Sequence, residues 1–278
     1  MLIKTGFYMV NILFFTSLAE IVKNHLLIEN SLSIESVINM YVAFFSSPRS
    51  LSLWIFWGIA VTLALFILQI SEKLGQGVLF SYIQGKYHRP RQEFRIFMFL
   101  DLKSSTSYAE QLGHIKYSRL IQDCFYDLTD VVRNHQAQIY QYVGDEVVLT
   151  WKIKDGLRNQ NCINTYFNFK KVLDKRRRYY EKEYGLMPEF KAGLDSGPIT
   201  VAEVGELKKE LAYHGDIINT ASRIQEMCNQ YQSNILISER LRNQLNGDIE
   251  REFELIGNVK LKGKNKAINV YRVSNNLP

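Results

Sequence analysis

Hydrophobic positions fall into two regimes along this chain. Up to about residue 90 they form long unbroken stretches; beyond it they form short runs separated by polar segments of helical spacing. Leu53–Ile70 carries no charge, and Trp54 and Trp57 stand near one end. At about 1.5 Å of rise per residue this stretch nearly matches the hydrocarbon core of a bilayer, and indoles belong at its interface. The pattern predicts a membrane span at about 52–70. Gly6–Val22 is also apolar but is interrupted by Asn11 and Glu20, and predicts a second, weaker span at about 6–23. No small-x-small cleavage site follows it, which argues against a leader. Lys73, Lys86, Arg89 and Arg91 follow the stronger span, so the positive-inside rule places the C-terminal portion in the cytoplasm. In the connecting segment, Leu74, Val78, Leu79, Tyr82 and Ile83 share one helical face. They predict a juxtamembrane helix over about 71–86, weakened by Gly75 and Gly77 and ended before Pro90. It suits either a membrane-surface helix or a dimer-forming connector. Residues 1–90 therefore read as an anchor and 91–278 as a soluble domain.

In the second regime strand and helix patterns alternate. FRIFMFL (94–100) reads as a buried strand, and 104–135 as a helix broken near Gly113. QIYQYV (138–143) and EVVLTWK (146–152) read as a hairpin about Gly144. A helix is expected over about 157–184, strands at 189–193, 199–204 and 211–214, and a helix over 216–231. A strand at 234–238, a short helix over 239–245, and strands at 253–262 and 267–273 complete the domain. The expected class is α+β, with helices on one face of a largely antiparallel sheet.

Composition adds little. The chain has 278 residues, a formal charge of +6 and three cysteines without a CxxC pair. Neither a disulfide scaffold nor a zinc site fits; reduced core thiols do. The densest basic run, Lys170 to Arg178, has the spacing of a solvated helix face, and no aromatic-basic motif accompanies it, so nucleic acid is not an expected partner.

The chemistry concentrates in two acids. Asp101 ends the first buried strand in FMFLDLKSST, and Asp145 opens a strand in YVGDEVVLTW. Adjacent central strands would bring both carboxylates to one sheet edge. Two carboxylates without a local base suit a hard cation, which keeps its other positions for water and phosphate. Alone, Asp101 reads equally well as a helix cap and Asp145 as a turn acid. Ser104, Ser105 and Thr106 open a helix whose free N–H groups form an anion pocket. In HGDIINTASRIQ, Asn219 and Arg223 stand at i and i+4 on one face, suited to a sugar and an anionic transition state. Lys262 and Lys264 flank Gly263 in a turn that suits phosphate or plain solvation.

Taken in order, FMFLDLKSST, YVGDEVVLTW, FKAGLDSGPITVAEVG, HGDIINTASRIQ and VKLKGK resemble the motifs of class III nucleotide cyclases, the adenylate and guanylate cyclase family, over about residues 92–275. The resemblance implies a ferredoxin-like α+β domain of a membrane-anchored bacterial type, in the cell (inner) membrane, acting on a nucleoside triphosphate as a head-to-tail homodimer. It further implies that Asp101, Asp145 and the Leu102 carbonyl bind two divalent cations, Mg²⁺ or Mn²⁺, and that the other subunit supplies Asn219 for the ribose and Arg223 for the transition state. Lys191 stands where the family usually has a phosphate-holding arginine, a change that keeps the charge but loses the bidentate fork. Lys262 aligns with the family's lysine on the terminal phosphates.

The chain departs from the pattern at the base. Where adenine-selective members carry lysine and an aspartate or threonine, it has Gln141 and Ala212, and the glutamate–cysteine pair of guanine-selective members is absent too. Gln141 both donates and accepts, so it suits several base edges, with Tyr140, Tyr142, Tyr213 and His214 nearby in sequence. ATP is the first expectation; a pyrimidine triphosphate or GTP is the alternative, and a catalytically silent nucleotide-binding signalling module the alternative of another class.

Overall fold

The structure, a computed structural model, describes residues 2–28, 34–75, 78–245, 251–259 and 267–275. The chain divides into two compact units, Met1–Phe80 and Ser81–Pro278.

The first unit is helical: α1 (Leu2–Ile28), α2 (Ile34–Phe45) and α3 (Pro48–Leu74). Ser47 caps α3, its hydroxyl accepting the Ser50 N–H ahead of a proline at the first helical position. Gly75 ends it at φ 91°. Among the described residues one helix, Pro48–Ser71, is long and apolar enough to cross a membrane, and it contains the span expected at 52–70. The apolar part of α1, Gly6–Ala19, is shorter than a span. α2 was not legible in the sequence. The expected juxtamembrane helix is split between the last turn of α3 and a short α4 (Val78–Ile83).

The second unit contains β1 (Arg91–Leu102), α5 (Ser105–Asn134), β2 (Gln138–Val143), β3 (Glu146–Lys152), α6 (Ile153–Leu157), α7 (Asn161–Lys175), α8 (Arg177–Tyr184), β4 (Phe190–Val204), β5 (Glu210–His214), α9 (Asp216–Gln230), β6 (Ile235–Ser238), α10 (Glu239–Arg242), β7 (Arg251–Val259) and β8 (Ile268–Asn275). They build one sheet in the order β2-β3-β1-β4-β6-β8-β7, with β5 on β4. The leading four strands, β2-β3-β1-β4, are antiparallel neighbours in the ferredoxin-like order.

Helices cover both faces, not one as expected. Ile96, Met98, Leu100 and Leu102 of β1 pack with Leu120 and Leu128 of α5, Phe169 of α7 and Tyr180 of α8. Phe97 and Phe99 point the other way, into a second core with Ile217 and Ala221 of α9. An unbroken apolar strand signals burial on both sides, because successive side chains alternate between faces. The two strands expected at 189–193 and 199–204 are one, since β4 pairs with β1 along the whole of that strand, through Gly197 and Pro198. The single helix expected over 157–184 is broken at Asn159 and Gln160, both at positive φ, and again at Arg176. Cys124, Cys162 and Cys228 are free and buried, and burial pushes each thiol up to about 12.

Candidate active site

The antiparallel registers set the site. β1 runs between β3 and β4, and at its C-terminal end Asp101 pairs with Glu146 on one side and Lys191 on the other. Gly144 turns the β2–β3 hairpin at φ 62°, a conformation open to glycine at little cost, and leaves Asp145 next to Glu146. Asp101, Asp145 and Glu146 thus share one edge of the sheet, although Asp101 and Asp145 come from distant parts of the chain.

The electrostatics bear the marks of crowded acids. Burial pushes the Asp101 carboxyl up, Lys191 opposes it, and Asp145 adds to it. Burial, with Asp101 and Asp145, lifts Glu146 to about 7. Burial and the Asp145 charge raise the Tyr117 hydroxyl, on α5, to about 12. Asp101 Oδ2 accepts from Lys191 Nζ at 3.2 Å and from Gln225 Nε2 at 2.8 Å. Asp145 Oδ2 is buried without a hydrogen-bond partner. A buried carboxylate oxygen left unpaired beside a second carboxylate is costly for the chain alone and fits a hard divalent cation. Among the described residues no three His, Cys, Asp or Glu side chains gather for a metal. Protein side chains would therefore supply the two carboxylates, and water or phosphate oxygens the rest.

The other expected residues fall into place unevenly. Leu102 is buried, and the next N–H, of Lys103, bonds the Glu189 carbonyl at 2.8 Å. The Lys103 ammonium is engaged by Asn234 and Glu189. Ser104 precedes α5 in the left-handed region at φ 56° and makes no side-chain cap, so Ser105, Thr106 and the first-turn N–H groups have no hydroxyl cap against them. Lys191 is 9 % exposed and is engaged with Asp101 of its own chain. Asn219 is exposed and Arg223 partly so; among the described residues neither makes a side-chain hydrogen bond or ion pair. Lys262 and Lys264 lie outside the described residues.

Gln141 on β2 and Ala212 on β5 each stand next in sequence to one of two tyrosines that touch. The Tyr140 and Tyr213 rings meet edge to face at 4.8 Å, both against Phe97, and the Arg95 guanidinium lies 5.0 Å from the Tyr213 ring centre. This aromatic contact and Gln225 were not assigned from sequence. A glutamine within the apolar stripe Ala221, Ile224, Met227, Cys228 was the available signal for the latter.

Comparison with known proteins bears on all of this. The family model for the adenylate and guanylate cyclase catalytic domain matches residues 88–275. Adenylate cyclase 2 of Rhizobium meliloti is 32% identical over 74% of this chain and 57% of its own length. An adenylate cyclase of Anabaena cylindrica is 28% identical over 63% of this chain and 36% of its own. The chain thus spans between a third and three fifths of these relatives. Among solved structures, a bacterial light-regulated adenylyl cyclase superposes with a TM-score of 0.67 at 19% identity, over 82% of this chain and 66% of that one. The adenylyl cyclase CyaB of P. aeruginosa gives 0.58 at 19%, over 67% and 96%.

Proposed function

Since the chain belongs to the adenylate and guanylate cyclase catalytic-domain family, we propose that it converts a nucleoside triphosphate, ATP first, to the 3′,5′-cyclic nucleotide and pyrophosphate, as a homodimer anchored in the cell membrane with residues 91–278 in the cytoplasm. The observation that carries this reading is the buried, unpartnered Asp145 Oδ2 beside Asp101. Two divalent cations, Mg²⁺ or Mn²⁺, bound there would lower the pKa of the ribose 3′-hydroxyl and neutralise the triphosphate. In the reaction the 3′-oxygen bonds to the α-phosphorus, the bond to the bridging oxygen breaks, and pyrophosphate leaves with that electron pair while the hydroxyl proton passes to solvent.

The protein's own part is positioning and charge. Asp101 and Asp145, with the Leu102 carbonyl, hold the metals. The first turn of α5, with Ser104, Ser105 and Thr106, receives phosphate. Lys191 and Lys262 neutralise it. Asn219 and Arg223 have no partner within their own chain among the described residues, which supports their serving the site of a second copy, Asn219 on the ribose and Arg223 on the transition state. Gln141 and Ala212, beside the Tyr140–Tyr213 contact, border the base. Anchoring is supported by the apolar residues Phe56, Ile59, Leu63 and Phe66 of α3, all exposed.

The test is to incubate the full chain, in detergent, with each of the four nucleoside triphosphates and Mg²⁺ or Mn²⁺ and to identify products by mass spectrometry. A cyclic nucleotide and pyrophosphate are expected, ATP giving the most. Production of cyclic CMP or UMP alone would reassign the base. The Lys191–Asp101 ion pair favours one rival, a nucleotide-binding module in which the lysine has replaced the cation; tight triphosphate binding with no product would establish it.

A further inference from the structure

We propose that Gln225 is a positioning residue that aims Asp101 at the metal and fastens the helix bearing Asn219 and Arg223 to the metal carboxylate of the same chain. The proposal rests on the metal-dependent cyclase reading above.

Gln225 is 4 % exposed and faces the sheet from α9, in a stripe otherwise made of Ala221, Ile224, Met227 and Cys228. Burying an amide costs free energy unless it is hydrogen-bonded, and this one donates from Nε2 to Asp101 Oδ2 at 2.8 Å. A hydrogen bond to an ionised acceptor is stronger and more directional than one between neutral groups.

The backbone is built for this reach. A Cβ on Gly193 would stand 2.2 Å from the Gln225 nitrogen and 2.5 Å from the Ala221 carbonyl oxygen, so only glycine lets α9 rest directly on β4. Gly193 pairs with Phe99 of β1, on the strand that ends in Asp101. The Gln225 side chain therefore crosses β4 and arrives at β1.

Lys191 meets the same Asp101 oxygen at 3.2 Å, and none of the described contacts falls on Oδ1. With Oδ2 held from two sides, Oδ1 is presented in a fixed direction. The two donors differ in what they do to a cation. Lys191 competes with it by charge, whereas the amide orients the carboxylate without adding charge. Asn219 and Arg223 stand elsewhere on the same helix, away from Gln225. In a head-to-tail dimer, the metal of one site and the transition-state residues of the other would then share a single rigid element.

Mn²⁺ binding to the full chain, followed by electron paramagnetic resonance with a 3′-deoxynucleoside triphosphate present, tests the proposal without turnover. Gln225→Met keeps the volume and removes the donor; Gln225→Asn keeps the amide but falls a methylene short. Both are expected to weaken Mn²⁺ about tenfold, the low end for residues that orient metal ligands, and to raise the Mn²⁺ needed for half-maximal activity by a similar factor. A lowered thermal midpoint with Mn²⁺ affinity within twofold of wild type, in whichever variant folds, would show that Gln225 only supports the fold. Weakened Mn²⁺ binding in a chain that makes no cyclic nucleotide would overturn the cyclase reading and keep the role of Gln225. Product formation with unchanged Mn²⁺ affinity would do the reverse.

Discussion

Lys191 Nζ lies 3.2 Å from Asp101 Oδ2 across the β1–β4 ladder, so a lysine neutralises the candidate metal carboxylate within its own chain. On the proposed reading that ammonium would have two duties: offsetting the Asp101 charge before metal arrives, and meeting phosphate afterwards. Lys191→Met should separate them. Without metal it leaves Asp101, Asp145 and Glu146 facing one another and is expected to cost roughly 2 kcal/mol, less than a fully buried ion pair because solvent reaches this one. Mg²⁺ should restore the thermal midpoint. The KM for nucleotide should stay about tenfold raised, one lost phosphate contact being worth about 1.4 kcal/mol. Lys191→Arg should recover affinity, since the guanidinium meets phosphate through two parallel hydrogen bonds.

Asp145→Asn should dissociate activity from stability. Its Oδ2 is buried and unpartnered, and its charge raises both Asp101 and Glu146. Removing the charge relieves that repulsion, so the metal-free thermal midpoint should hold or rise, while turnover falls by about a thousandfold or more if positioning and charge by the metals supply most of the rate. A functional acid that destabilises its own fold is the expected trade-off at such a site. Calorimetry on the metal-free chain, paired with product assays, checks both halves. A variant with wild-type turnover would remove Asp145 from the metal site.

The proposed division of labour between subunits has a signature in mixtures. Asp145→Ala breaks the metal half of a site and Arg223→Ala the transition-state half. Each variant alone should be inactive. In a mixed dimer one site carries both lesions and the other neither. Random assembly makes half the dimers mixed, with one sound site of two, so activity should return to about a quarter of wild type. Co-expression with two tags and tandem purification would raise this toward about a half. No recovery in the purified mixed dimer would place Asn219 and Arg223 on the site of their own chain.

How far the sequence foretold this arrangement depends on the range of the interaction concerned. The β2–β3 hairpin came out with its expected ends because Gly144 and the flanking β-branched residues are local signals. Asp101 and Asp145 come to one end of the sheet because each borders a strand of the β1–β3 pair. The continuity of β4 was missed: Gly197-Pro198 reads as a turn by itself, and only pairing with β1, remote in sequence, carries the strand through it. The covering of both faces was present in FRIFMFL but was read as burial alone. Gln225 was overlooked because its partner, Asp101, lies on another element far up the chain. α2 lacked a signal of its own between two longer apolar segments.

Acid stability of the second unit depends on Glu93. Glu93 is gripped by three neighbours: Tyr87 donates to Oε1 at 2.7 Å, Lys86 to Oε1 at 3.1 Å, and Arg95 Nε to Oε2 at 2.9 Å. Burial alone would push its carboxyl up; the Tyr87 hydrogen bond, the Arg95 charge and the remaining hydrogen bonds outweigh burial and hold it at about 2. A folded value below the unfolded one means that the unfolded chain binds the proton more readily, so the contribution is fully present above pH ~4.5 and is lost as pH falls toward ~2. A shift of this size corresponds to about 3 kcal/mol at most, and solvent at the edge of the network brings it to about 2 kcal/mol. Glu93→Gln should therefore lower the thermal midpoint at pH 7 and pH 5, with the gap to wild type closing between pH 4 and pH 2.5. The pH dependence of the difference between the two proteins reports on the Glu93 charge. A gap that stays constant with pH would mean that the side chain acts through its shape and neutral hydrogen bonds, and that its charge contributes nothing.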